Sequence, residues 1–371
     1  MAARPRLHYL DNLRAFVIIL VIVLHAAITY MADPPSWWYV IDKDRSVVFT
    51  WLVLLVDVPI MQVLFFVAGY FAVRSLQRRG PQGFIREKVV RLAIPWVLGV
   101  IFLAPLETYM NYVSRGVPTG YLQFWTSDFW GPMFQQSVYW FLGVLFVEFL
   151  VLVYAYLYPA RAALHVAEPP VTQPRASLFV WFVVLTAGGS LLFSPSIGLD
   201  DWRSLSFLLV VQPARISFYV GYFMLGIYAE RHGWFTETGF RPRLVSWGVM
   251  AVVSGIAYLV YRNAGPGTSL PALALESLLF SMFCLSALIA GIALFRRWID
   301  GAGRVWGTLA VNSFGIYYVH PLILYPLAYL VLDVPIPAVA KFAILVAVTL
   351  AGSLAVSALV LKRVPGLRRM F

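Results

Sequence analysis

Apolar stretches about twenty residues long recur down this chain, separated by short segments rich in charge, glycine and proline. A helix needs roughly 20 apolar residues to cross the hydrocarbon core of a bilayer. Windows of that length predict ten spans, at 10–31, 47–73, 89–110, 137–158, 177–194, 205–229, 243–262, 272–295, 306–331 and 337–361. The longest connections, 32–46, 74–88, 111–136 and 159–176, are too short to bury cores of their own. The pattern therefore predicts an all-α, polytopic membrane protein with residues 1–371 as one transmembrane domain. No internal repeat or low-complexity tract interrupts it, and the first apolar run is too long for the h-region of a cleavable signal.

Composition agrees. The chain is 61% hydrophobic and 12% charged, whereas a soluble domain carries roughly twice that share of charge. The charges are also distributed unevenly. Twenty of the 28 basic residues fall on one side of the predicted spans, namely Arg4, Arg6, the 74–91 cluster, Arg161, Arg175, Arg231, Arg241, Arg243, Arg296, Arg297, Arg304 and the four near the C-terminus. Five fall on the other side, and only Arg14, Arg215 and Lys341 lie well inside spans. The positive-inside rule then predicts both termini in the cytoplasm and an inner (plasma) membrane location. A net charge of +11 needs no nucleic acid, because a basic face against anionic lipid explains it. The 74–91 cluster also suits a phosphate-bearing ligand.

Chemistry is expected where ionisable groups sit in hydrocarbon, since a central Arg or Lys there costs roughly 3 kcal/mol or more. Arg14 and His25 are eleven residues apart in an otherwise apolar run. On a helix that spacing is about three turns, which puts both on one face with ~16 Å of rise between them. An Arg snorkelling at a helix end beside a core His is the plainer alternative. His320 is expected at a depth like that of His25. Asp57, Glu148 and Arg215 are expected near the midplane, with Arg215 paired to one of the carboxylates as a structural ion pair or a cavity-lining site. Gln212 and Asn312 add polar positions at that level, and Pro59 and Pro213 free backbone carbonyls that lipid does not tolerate.

Other signals read as background. Cys284 is the only cysteine, so no intramolecular disulfide forms, and the five histidines show no metal-ligand spacing. No GxGxxG, Walker A or GxSxG motif occurs. Trp37, Trp38, Tyr39, Trp125, Trp130 and Trp202 suit an interfacial aromatic belt. Asp200 and Asp201 read as a solvated loop, Glu107 and Glu276 as residues near span ends that reach water, and Asp11 with Arg14 as a local i,i+3 pair.

The motifs together resemble a known family. LDNLRAFVIILVIVLH at 10–25 is similar to the signature of the acyltransferase-3 family of integral membrane acyltransferases, in which Arg and His are separated by ten residues, and especially to its glucan-biosynthesis C branch. MQVLFFVAGYFA at 61–72, REKVVRLAIPW at 86–96, YWFLGVLFVE at 139–148 and FGIYYVHPLIL at 314–324 agree in the same order. Val138 and Ile60 depart from that branch, which usually carries His and a basic residue there. The resemblance implies an acyl-CoA donor whose phosphates are held by Arg14 and some of Arg86, Lys88 and Arg91, and a carbohydrate or other hydroxyl acceptor. It implies His25 as general base, with His320 or Arg215 orienting it or stabilising the oxyanion and Asp57 as a further catalytic candidate. Trp140, Glu148, Gln212, Asn312 and Tyr317 would then contact substrate. Joined to the depth argument, it predicts one continuous pore with His25 at its waist. A transporter or flippase of a lipid-linked or acidic solute would also gather Asp57, Arg215 and His25 in a cavity. A non-catalytic scaffold would not need them buried.

Overall fold

The computed structural model describes residues 6–158, 171–265 and 267–371. Arg4, Arg161 and His165 lie outside them. The described residues are mostly helical, with almost no strand. α1 (His8–Ile28) carries Asp11 in its first turn, where an acidic side chain complements the exposed backbone N–H groups. α2 (Val47–Lys88) starts at Ser46, whose hydroxyl caps it by accepting from the Val48 N–H at 3.3 Å.

Residues 74–88, read from hydropathy as a connection, are helical and extend α2. The bend comes at Gly80, with φ 68°, just before Pro81. Proline disfavours helical backbone in the residue before it, and only glycine takes a positive φ there without a steric cost. The chain continues through π-type turns at Val89–Ala93 and Gly99–Leu103 into α3 (Ala104–Ser114). Next come α4 (Trp140–Leu157) and α5 (Ala176–Leu191).

The expected helical span at 205–229 starts later than predicted. β1 (Arg203–Leu205) pairs antiparallel with β2 (Leu209–Val211), and α6 covers Ile216–Arg231. An unbroken apolar run fits strand or helix equally. Here the choice is made by Ser206, which turns the chain at φ 55°, and by Pro213, which opens the first helical turn because it has no N–H to donate. α7 (Leu244–Asn263), α8 (Leu270–Trp298), α9 (Arg304–Leu330) and α10 (Ala338–Val356) complete the bundle.

Among the described residues, six helical stretches are long and apolar enough to cross a membrane, with Val47–Ser114 counted as one. α1 packs against α2, α8, α9 and α10. α2 and α6 approach so closely that a Cβ on Gly69 would lie 2.0 Å from the Phe223 carbonyl oxygen, and one on Gly226 would lie 2.1 Å from that of Phe66. Each basic residue expected inside a span has an acidic partner: Arg14 with Asp11 at 3.6 Å, Arg215 with Asp57 at 2.7 Å and Lys341 with Asp42 at 3.0 Å.

A candidate active site between a basic and an aromatic cavity

His25, near the end of α1, and His320, on α9, meet across the bundle. His25 Nδ1 lies 2.9 Å from His320 Nε2. The local sequence accounts for the orientation of this pair. In a regular helix the residue 321 amide would donate to the Tyr317 carbonyl, but Pro321 has no N–H. His320 Nδ1 lies 2.7 Å from the carbonyl oxygen thus released. A carbonyl only accepts, so Nδ1 of His320 carries the proton. In the neutral ring Nε2 is then an acceptor, and His25 Nδ1 donates to it. The lone pair of neutral His25 is left on Nε2. His320 is fully buried, whereas His25 is half-buried and lines a cavity.

That cavity, about 590 Å³, is walled by aromatic side chains and polar groups, among them Trp38, Trp140, Trp202, Asp57, Gln212 and Arg215. Trp38 stands 5.7 Å from the His25 ring and is buried with Tyr39, so these two are cavity walls rather than parts of a lipid-facing belt. Trp202 packs on Trp140 at 5.2 Å. Asp57 is the carboxylate that pairs with Arg215. Glu148 does not: it is buried on α4 outside both cavities, and neither of its oxygens has a hydrogen-bond partner among the described residues.

Asp200, expected in a solvated loop, instead bridges two cations, accepting from Arg215 and from Arg262 Nη2, the latter at 2.6 Å. Burial alone would push its carboxyl up, but Arg215 and Arg262 more than offset this and hold it at about 2. Glu276 also departs from expectation, meeting Arg262 at 2.5 Å. Glu107 is buried and accepts from the Tyr139 hydroxyl at 2.7 Å. In all three cases a cation or hydroxyl from another segment engages the carboxylate. Gln212 spans Tyr219 at 2.9 Å and the Asp200 carbonyl at 3.3 Å.

A second cavity, about 1030 Å³, has seven basic side chains on its walls, Arg6, Arg14, Arg74, Arg78, Arg79, Lys88 and Arg91, against three acidic ones, Asp11, Glu87 and Glu237. Arg14 also donates to the Ala310 carbonyl at 3.2 Å. Arg86, grouped with Lys88 and Arg91 in the sequence reading, is exposed and does not line the cavity. Two residues on a helix are ~200° apart, so Arg86 points away from the face that Lys88 presents. Arg74, Arg78 and Arg79 show in the sequence only as part of the charged cluster, because hydropathy reads their stretch as a connection.

The two cavities meet at Tyr317, so the expected pore takes the form of two adjoining chambers with His25 on the wall of the aromatic one. Tyr317 belongs to both walls, and its hydroxyl donates to the Val138 carbonyl. Asn312 lines neither cavity: its amide nitrogen donates to the Thr308 carbonyl at 2.8 Å, and its oxygen accepts from Ser357 at 3.0 Å.

Comparison with known proteins adds chemistry to this geometry. A family model described as an acyltransferase domain matches residues 7–358. The glucans biosynthesis protein C of Salmonella gallinarum is 26% identical over 291 residues, covering 71% of this chain and 68% of the relative. Its counterparts from Salmonella schwarzengrund and Salmonella typhimurium are 25% identical over 296 residues, with the same shares covered. No solved structure matches.

Proposed function

Because this chain belongs to the acyltransferase-3 family of membrane acyltransferases, we propose that it moves an acyl group, acetyl, succinyl or similar, from acyl-CoA to a hydroxyl of a carbohydrate or other cell-envelope acceptor. The basic cavity opens to the cytoplasm and takes the donor, and the aromatic cavity opens to the other side and takes the acceptor. The observation that carries this reading is the hydrogen-bond chain from the Tyr317 carbonyl through His320 to His25, which leaves an unprotonated nitrogen of His25 at the aromatic cavity.

In direct transfer, His25 Nε2 takes the proton of the acceptor hydroxyl as its oxygen attacks the thioester carbonyl. Collapse of the tetrahedral intermediate breaks the C–S bond, and the His25 imidazolium returns the proton to the departing thiolate. His320 touches no substrate. It is a positioning residue that fixes the tautomer of His25 and steadies the imidazolium through the Tyr317 carbonyl. Arg14, Lys88 and Arg91, joined by Arg74, Arg78 and Arg79, hold the donor's phosphates by charge-assisted hydrogen bonds. Arg215 is engaged by Asp57 and Asp200, so it shapes the acceptor cavity and keeps Asp57 in place. Trp140 and Trp202 offer flat apolar faces to a sugar ring, while Asp57 and Gln212 offer polar atoms to its hydroxyls.

Thiol release from acetyl- and succinyl-CoA by purified, detergent-solubilised protein tests the reading. Turnover that falls by roughly 10²–10⁴ in His25→Ala is the expected result, the usual contribution of a positioned base. Absence of turnover in the wild type would contradict it. Two cavities separated by a thin wall also suit a transporter. In detergent there is no second compartment, so thioester turnover there separates chemistry from transport.

A further inference from the structure

Among the described residues, Tyr317 alone belongs to the walls of both cavities. Around it the partition is about one helical turn thick. On α1 Ile18 lines the basic cavity and Val21 the aromatic one, and on α2 the same division falls between Leu64 and Met61. The Phe141 ring, on the wall of the basic cavity, packs edge-on against Tyr317 at 5.8 Å. The residues named on either side of it are apolar, and the Tyr317 phenol between them is latched to the Val138 carbonyl.

Resting on the acyltransferase reading, we propose that the Tyr317 side chain is the specificity-determining gate of the reaction. It separates the donor compartment from the acceptor compartment, swings aside to admit the acyl end of the donor to His25, and by its bulk limits which acyl groups pass. Closed, it keeps water in the aromatic cavity away from the thioester. The geometry lets the gate move without disturbing the histidine pair. The latch is made by the side-chain hydroxyl, whereas His320 is held by the main-chain carbonyl of the same residue, so rotation about the Cα–Cβ bond breaks the first and spares the second. Tyr317 therefore does not donate to substrate while the gate is closed, as its hydroxyl is already in use.

The test is sided thiol labelling, which needs no turnover. Leu64→Cys and Met61→Cys put a thiol on the basic and on the aromatic side of the partition, one turn apart on α2. A charged, membrane-impermeant methanethiosulfonate is applied to each side of vesicles in turn, with the parent chain reporting the background of buried Cys284. The side from which Leu64→Cys reacts defines the basic side. With Tyr317 present, Met61→Cys is expected to react only from the opposite side, and with Tyr317→Ala it reacts from both. Tyr317→Leu repeats the test with a residue that keeps helix and packing if the alanine variant does not fold. Equal labelling of Met61→Cys from the basic side with and without the Tyr317 ring would overturn the gate. A second readout is chemical. Tyr317→Phe keeps the ring and loses the latch, so it should raise thioester hydrolysis relative to transfer by roughly 2–10-fold, the population shift of one hydrogen bond, without altering acyl-length preference. Tyr317→Ala should raise that ratio and also admit longer acyl groups. Unchanged partitioning and unchanged length preference in Tyr317→Ala would likewise refute the gate. A wild type that turns over no acyl-CoA would refute the acyltransferase reading, while the labelling pattern would still decide the gate.

Discussion

If His320 acts only through His25, removing both histidines should cost no more activity than removing His25 alone. His320→Ala deletes the acceptor that lies 2.9 Å from His25 Nδ1 and the donor that lies 2.7 Å from the Tyr317 carbonyl. Losing an orienting hydrogen bond at a buried site is worth about 1–3 kcal/mol, which in a rate is roughly 5–150-fold. Losing the base itself is worth roughly 10²–10⁴. Independent effects would multiply, whereas residues acting as a unit do not, so His25→Ala with His320→Ala should match His25→Ala alone. The same substitution strands the Tyr317 carbonyl, which Pro321 cannot satisfy, and should lower stability by about 1–3 kcal/mol. His320→Gln, whose amide can both donate and accept, is expected to recover part of each loss. The assay is release of CoA thiol by detergent-solubilised variants at matched concentration, with melting temperatures to separate activity from folding. A double variant whose loss equals the product of the single losses would show that His320 has a route to the chemistry that bypasses His25. A folded His320→Ala with wild-type turnover would refute the tautomer argument itself.

Arg14→Ala should weaken CoA binding by ~1.5–3 kcal/mol, the range for a charge-assisted hydrogen bond, while Arg86→Ala should leave it unchanged; titration calorimetry reads both. Arg215→Leu removes the cation shared by Asp57 and Asp200, which are part-exposed, and leaves Asp200 its contact with Arg262; a loss of about 1–3 kcal/mol of stability is expected in thermal or denaturant unfolding. Asp200, held at about 2 in the folded protein against roughly 3.9 when unfolded, contributes stability above pH ~4 that disappears as pH falls toward about 2; the melting temperature of the wild type should therefore fall more steeply over that window than that of Asp200→Asn. Gly69→Ala drives a methyl group into the Phe223 carbonyl and should cost about 1–3 kcal/mol, seen as a lower melting temperature or loss of monodisperse protein.

Much of the helical layout was legible because membrane helices advertise themselves by length and hydropathy. Arg14 and His25 were legible for the complementary reason, as ionisable groups that lipid penalises. What failed to show were features set by partners distant in sequence. Residues 74–88 are polar and glycine-interrupted, so hydropathy alone reads them as a connection although they form the wall of the basic cavity. The 205–212 stretch is apolar enough for a span, and only Ser206 and Pro213 hint at the ribbon. Trp38 beside His25 and Trp37 at the surface have the same composition and different surroundings. Asp200 looked like a loop residue because its partners, Arg215 and Arg262, come 15 and 62 residues later. Pro321 after His320 is a usable signal in the sequence: it frees the Tyr317 carbonyl that His320 Nδ1 meets at 2.7 Å.

The central claim is that donor and acceptor meet from opposite sides of the bundle at His25, and transfer across a sealed membrane tests it most directly. Protein is reconstituted into vesicles with a carbohydrate acceptor trapped inside, and acyl-CoA labelled in its acyl group is added outside. The account predicts label on the trapped acceptor, appearing with free CoA outside and reduced by at least ~10² in His25→Gln. Label confined to acceptor added on the same side as acyl-CoA, with the trapped acceptor unmodified, would contradict it.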